Sequence, residues 1–414
     1  MSALHFRTSW LPVCESECLV FSNTFQPCLL IWYHQLLPLH GMLILIALAV
    51  TTLAEKPVPT TQDDLTSQPS PKGAEQLKGK ELVNYVNQHQ TLWKAEYSPE
   101  VEAYFKHYEG RKVDKKFSKA PRDPKRVKNI VLDVEPPESF DAREYWPNCP
   151  SIPYIRDQSN CVGAYAIAPA SAFSDRACIQ SNGTIKQHYS AIEILSCCGD
   201  DCGYECHYGY PDDAWDYIRR KGIPTGGRYR EKGVCKPYAF PPCGRHANQP
   251  YYEKCLPGAR WIPPPCRKKC QPKYRDKTYQ EDKLYSHSCY WLPSNEKQIR
   301  IEIMTNGPVV AQFHLYSDLF HYKGGIYKVV FFIELMACEF HLCANALHKH
   351  VNGEHEGNHQ VRIIGWGNEN GTDYWLMANS WNVDWGENGF FRMVRGQNHL
   401  SVERAVTSAM VKFN

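Results

Sequence analysis

The chain has 414 residues, 43% of them apolar, enough to bury a sizeable core in one large domain or two smaller ones with appendages. A formal net charge of +3 gives no reason to expect a nucleic acid or an anionic membrane as partner. Twelve of the 18 cysteines fall between Cys149 and Cys270, which suits an oxidising compartment and a disulfide framework; no CxxC pairs repeat at zinc-finger distance, which speaks against a reduced zinc protein.

Residues 1–41 contain a single Lys or Arg, Arg7, and match no pattern. The apolar run from Met42 reads as a secretory signal over 42–54, with Thr52-Leu53-Ala54 as its small-residue cleavage site and translation starting at Met42. A signal anchor over Cys28–Val50 ranks second, because His34, Pro38 and His40 interrupt it. Residues 55–135 read as a pro-segment. Glu55–Lys80 is rich in Pro, Thr, Ser, Gln and Lys and is expected to be flexible. Leu82, Tyr85, Val86, His89, Leu92 and Trp93 recur at helical spacing within Glu81–Tyr97, so a short amphipathic helix is expected, in need of a surface to cover. The basic stretch Lys112–Lys128 reads as a solvated linker or, more sharply, as a processing site.

From Pro136 the composition is that of a folded domain. Pro, Gly and Cys are dense up to about Tyr274. The apolar runs "PVVAQFHLY", "HQVRIIGWG", "DYWLMANSW" and "GFFRMV" follow and predict strands. Helical pattern early and strands late imply an α+β chain with two unlike halves and no internal repeats. Sequons at Asn182 and Asn370 are consistent with secretion.

The segment Cys161-Val162-Gly163-Ala164-Tyr165 opens a predicted helix. It follows the local signature C-G-[SA]-C-[WY] of papain-type thiol proteases at its first cysteine and at its aromatic position, but has alanine where the nucleophile belongs. Such enzymes need a thiolate, an imidazole, a side chain orienting that imidazole, and donors for the oxyanion. Around this segment, "PPESFDAREYWPNCPSIPYIRDQSNC", "SDRACIQSNG", "SCCGDDCG", "GYPDDAW", "YSDLFHYKGGIY" and "YWLMANSWNVDWGENGFF" occur in order. Over about Pro136 to the C-terminus the chain resembles cathepsin B of the papain family, and Glu81–Trp93 resembles its propeptide. The last motif is similar to that of gut cathepsin B-like proteases of blood-feeding worms.

The resemblance implies a papain-like fold of two lobes, one helical and one β-barrel-like, over 136–414. It implies Gln158 in the oxyanion hole, His359 as the catalytic imidazole, Asn379 orienting it and Trp381 shielding the pair, with Ala164 at the nucleophile position. It implies cystines Cys149–Cys178, Cys161–Cys206, Cys197–Cys266, Cys198–Cys202, Cys235–Cys270 and Cys243–Cys255. Tyr208, before Gly209, stands where the family has a glycine lining the cleft. Ala405 replaces the acidic residue at the base of the S2 pocket. The histidine pair of the occluding loop becomes Arg245-His246, which puts dipeptidyl-carboxypeptidase activity in doubt. Pro169 falls in the second turn of the central helix, where it costs roughly 3 kcal/mol unless the helix bends. Residues 329–349 are an insertion outside the family pattern, read as a surface loop or as wrongly included non-coding sequence; Cys338, His341, Cys343 and His348 within it match no strong zinc motif.

Alanine cannot attack a carbonyl, and removing the nucleophile of a comparable triad costs on the order of a million-fold in rate, about 8 kcal/mol of barrier. The expected protein is thus an inactive cathepsin B-like homologue that keeps a peptide-binding cleft, is monomeric, and needs no metal or cofactor. Its expected partners are peptide or protein substrates or inhibitors and its own propeptide. It is expected to be secreted or lysosomal. The alternatives are an active cysteine endopeptidase whose recorded sequence carries errors, and a structural disulfide-rich secreted protein.

Overall fold

The computed structural model describes residues 73–105, 126–255, 261–329, 331–333, 348–350 and 353–413. The extension 1–41, the signal 42–54, most of the basic stretch Lys112–Lys128, and Cys338, His341 and Cys343 lie outside them.

The described N-terminal segment carries α1 (Gly79–His89), β1 (Trp93–Ala95) and α2 (Pro99–Phe105). Leu82, Val83, Tyr85 and Val86 are the buried face of α1. The helical spacing continues to Trp93, but the helix stops at His89. Gln90 is extended, and its side chain both accepts from the Trp93 N–H (2.9 Å) and donates to the Trp93 carbonyl (2.5 Å). Trp93 instead enters β1, which pairs antiparallel with β7 (Tyr322–Tyr327). An unpaired sheet edge satisfies the backbone here, and that outweighs the local periodicity.

The folded domain opens with β2 (Phe140–Asp141) and α3 (Ala142–Tyr145), followed by the central helix α4 (Ala164–Gln180), α5 (Ala191–Cys197), the hairpin β3 (Gly203–Tyr204) and β4 (Tyr208–Gly209), and α6 (Pro211–Lys221). Next come β5 (Tyr285–Trp291), α7 (Glu296–Asn306), β6 (Val309–Tyr316) and β7. The short antiparallel pair β8 (Phe331–Ile333) and β9 (His348–His350) falls at the two ends of the 329–349 insertion. β10 (His355–Glu369), β11 (Thr372–Ala378), β12 (Phe390–Val394) and β13 (Val406–Lys412) complete the chain. The main sheet runs β1-β7-β12-β11-β10-β6-β13-β5, with β2 also on β10. The four predicted apolar runs supply β6, β10, β11 and β12.

Two large apolar clusters match the two unlike halves: one among α4, α5 and α6, the other on the sheet and beneath α1 and β1. α4 is buried from Ala164 to Cys178 and runs unbroken through Pro169. The donor that proline removes is the one the Tyr165 carbonyl would have accepted, and packing on all sides of the helix offsets its loss.

Six cystines join Cys149–Cys178, Cys161–Cys206, Cys197–Cys266, Cys198–Cys202, Cys235–Cys270 and Cys243–Cys255. Both sequons sit on exposed turns, with Asn182 and Asn370 at positive φ (51° and 52°) before glycine.

Consecutive residues of α4 tie the halves together. Asp175 pairs with Arg362 of β10 at 2.5 Å, and Arg176 pairs with Glu302 of α7 at 2.7 Å; all four side chains are nearly or fully buried. Arg176 also donates to the carbonyls of Gly307, Pro308 and Ala409 at 2.8–2.9 Å. Removing one member of such a pair leaves an uncompensated buried charge. Glu302→Gln is expected to cost about 3–5 kcal/mol of stability, seen as a lower urea midpoint at unchanged slope.

Candidate active-site cleft

His359 lies in β10 opposite Phe313 of β6. β10 and β11 pair with Arg362 facing Ala378; continued past the end of β11, that register sets Trp381 across from His359 and brings Asn379 to the same face. The side chains meet accordingly. His359 Nε2 lies 2.7 Å from Asn379 Oδ1, and the Trp381 indole stacks on the imidazole at 4.6 Å between centroids and 28° between planes.

Asn379 Oδ1 also accepts from the Ser380 N–H at 2.8 Å, which fixes the amide orientation. An amide oxygen has no proton to give, so Nε2 carries the hydrogen and Nδ1 of the neutral ring is an acceptor. His359 is only 2% exposed. Burial pulls its pKa down to about 4, partly opposed by the Asn379 bond.

Gln158 is fully buried and stitched to the same segment. Its N–H donates to the Ser380 carbonyl (2.8 Å), and its Oε1 accepts from Ser380 Oγ (2.7 Å). Its Nε2 donates to the Cys161 carbonyl at 3.0 Å, closing the turn that leads to α4. Ala164 is the first residue of that helix, after Gly163, and is 2% exposed. Helix geometry leaves the first N–H groups of α4 without intrahelical partners and puts the positive end of its dipole there. The Cys161–Cys206 bridge holds this end of α4 beside the β3–β4 hairpin.

On that hairpin Gly209 lies against the Tyr165 ring so closely that a Cβ would fall 2.4 Å from it. Tyr208 is half-buried, with its ring 6.1 Å from Tyr204. Ala405 precedes β13, and its carbonyl accepts from Gln312 N–H at 2.9 Å; Gln312 faces Gln360, the neighbour of His359.

The loop between Cys235 and Cys270 is latched by His246. Its Nδ1 lies 3.0 Å from Asp384 Oδ2, and its Nε2 lies 3.5 Å from Asp157 Oδ2. Arg245 does not join this cluster; it is exposed, over the Tyr251 ring at 5.7 Å. Asp157, Asp384 and Ser380 escaped the sequence reading, because contacts over separations such as 138 residues leave no local pattern.

The N-terminal segment reaches the same place. Phe105 stacks on Phe320 (4.0 Å, 7°) and meets Trp381 edge-on (4.8 Å), while the Tyr104 hydroxyl donates to the Ser159 carbonyl at 3.0 Å.

An imidazole aligned by an asparagine under an indole, near a buried glutamine and a helix N-terminus, is the framework of a thiol protease. Residues 136–410 match the family described as papain family cysteine protease. The chain belongs to the papain family. Cathepsin B-like cysteine proteinase 1 of Haemonchus contortus is 39% identical over 352 residues, covering 85% of this chain and 94% of that protein. Cathepsin B-like cysteine proteinase 6 of Caenorhabditis elegans is 38% identical over 348 residues, 82% and 85% of the two chains. Among solved structures, proCathepsin B S9 from Trypanosoma congolense aligns with a TM-score of 0.62 at 30% identity, over 81% of this chain and 99% of that one. This papain-family member is a cathepsin B-like homologue with the papain-like α+β fold.

A pKa near 4 means that His359 stays neutral through mildly acidic conditions. The unfolded chain, with its ordinary histidine, binds the proton first, so this residue lowers stability progressively as pH falls from about 6.5 towards about 4. The limiting contribution is about 3 kcal/mol. NMR titration of the full chain is expected to show no protonation of the His359 ring above about pH 5.

Proposed function

We propose that this cathepsin B-like homologue is catalytically inactive and acts by binding peptide segments in its cleft. The observation that carries this reading is a methyl group at position 164. The family motif is kept around it, from Gln158 through the Cys161–Cys206 bridge to Tyr165, and Ala164 begins the buried helix where a helix dipole would activate a thiol. His359, Asn379, Trp381 and Gln158 then form an aligned but unserved site. A methyl group neither attacks a carbonyl nor gives the imidazole a thiolate counter-ion.

No other described thiol substitutes. Cys289 is the free cysteine among the described residues; it lies on β5, with β13 and β6 between it and β10. At about 4.8 Å per strand step that is roughly 14 Å from the strand of His359. Burial also raises the Cys289 pKa, which disfavours its thiolate.

Residues 55–135 are proposed as the pro-segment. The β1–β7 pairing and the seating of Phe105 against Trp381 support this, as does the likeness to proCathepsin B S9 from Trypanosoma congolense. A chain that cannot cleave itself needs another protease to remove this segment. Its ligands are then peptides, inhibitors or its own pro-segment, with Tyr208 and Ala405 giving the cleft its shape. The proposed setting is the secretory pathway, lysosomal or extracellular, which the six cystines and the exposed sequons favour.

The test compares the parent with Ala164→Cys, each freed of residues before about 136, on dipeptidyl fluorogenic substrates. The parent is expected to turn over at background, on the order of a million-fold below an active thiol enzyme. An epoxide thiol inhibitor is expected to label the variant and leave the parent unmodified. Cleavage by the parent that the epoxide abolishes overturns the reading.

A further inference from the structure

Beneath the latched loop is a cavity of about 160 Å³ that the cleft chemistry does not use. One wall is the segment Tyr154–Asp157, another holds Arg228 and Tyr229, and loop residues including Gln249 and Tyr252 close it. Its size is close to that of a cavity that takes up one benzene molecule. Tyr229, Phe240, Pro250 and Tyr252 make much of the lining apolar.

Two arginines are among the residues lining this space, the buried Arg156 and the exposed Arg228. Arg156 is 7% exposed, and its Nη2 donates to the Tyr189 carbonyl (2.9 Å) and Ser174 Oγ (3.4 Å). Its Nε has no acceptor, and it makes no ion pair among the described residues. Asp175, the carboxylate on the neighbouring helix, is already held by Arg362 at 2.5 Å. Arg228 donates from Nε to the Tyr154 hydroxyl (3.0 Å) and lies over that ring at 4.7 Å; it too has no carboxylate partner among the described residues.

The carboxylates nearby are engaged. Glu231 accepts from the Arg228 backbone N–H at 2.6 Å. Asp157, in the cavity wall, accepts from Asn382 Nδ2 (2.8 Å) and the Ser159 N–H (2.5 Å), and faces His246. The excess of positive field is felt by His188, whose ring lies 4.3 Å from that of Tyr154. Burial and then Arg156, Arg362 and Arg228 pull its pKa down to about 3.

A guanidinium taken out of water without a counter-ion is costly, and an anion brought into the same cavity compensates it. We infer that this cavity is a binding site for a small organic monoanion, a carboxylate on a compact planar apolar body. The carboxylate is bound by Arg156 and Arg228, and the body packs among Tyr229, Phe240 and Tyr252. The site stands apart from the question of peptide hydrolysis, because none of these side chains belongs to the His359–Asn379 pair.

The test is calorimetric titration of the full chain with benzoate, and with benzamide as its neutral isostere. Saturable 1:1 binding of benzoate is expected, with benzamide at least about tenfold weaker. Arg228→Met is expected to weaken benzoate by a similar factor, and Arg156→Met to abolish its binding. If Arg156→Met does not fold, the isostere and Arg228→Met still decide. No saturable benzoate binding by about 10 mM, equal affinity for benzamide, or full affinity in Arg228→Met overturns the proposal.

Discussion

Everything in the cleft depends on two adjacent residues of the central helix. Asp175 and Arg176 point their charges into the sheet side and find Arg362 and Glu302 there, out of contact with water. Arg362 is three residues along β10 from His359, about 10 Å of strand. Ala164 is about 18 Å up α4 from Arg176. The helix N-terminus and the imidazole therefore share one rigid frame. Buried ion pairs are weak sources of net stability, but they are strict about geometry, because any slip strands a charge.

Within that frame, geometry and chemistry rest on different residues. The imidazole is held by Asn379, Trp381 and the strand register; Gln158 is held by Ser380 and Cys161; the end of α4 is held by the Cys161–Cys206 bridge and by burial. None of these contacts needs a thiol at position 164. An alanine there leaves the packing undisturbed, and on the proposed reading a well-formed cleft survives the loss of its nucleophile. His359 then sits in a dry site with no anion to favour its charged form, and its depressed pKa follows from that environment.

The same loop links two features of the molecule. His246 bridges Asp157 and Asp384 beside Gln158, and a few residues later the loop closes the arginine-lined cavity. Asp157 belongs to both, so a residue in the wall of the cavity is also the chain neighbour of Gln158.

Much of this was readable from one chain of letters. The runs that became β6, β10, β11 and β12 carry their own signal in apolar, β-rich composition, and the α+β division followed from helical patterns preceding them. The motifs around Gln158, His359 and Asn379 identified residues that the structure gathers within hydrogen-bonding reach or through one intermediary. The helical spacing that runs to Trp93 was misleading, since a sheet edge hundreds of residues later claims that segment as strand. Pro169 argued for a costly or bent helix, and the helix runs unbroken through it inside the core. Composition, motif order and the alanine at 164 are local facts, fully determined by the sequence. The end of α1, the His246 latch, the ion pairs of Asp175 and Arg176 and the unpaired arginines around the cavity were decided only by tertiary structure, because each depends on a partner that chain folding, not spacing, brings near.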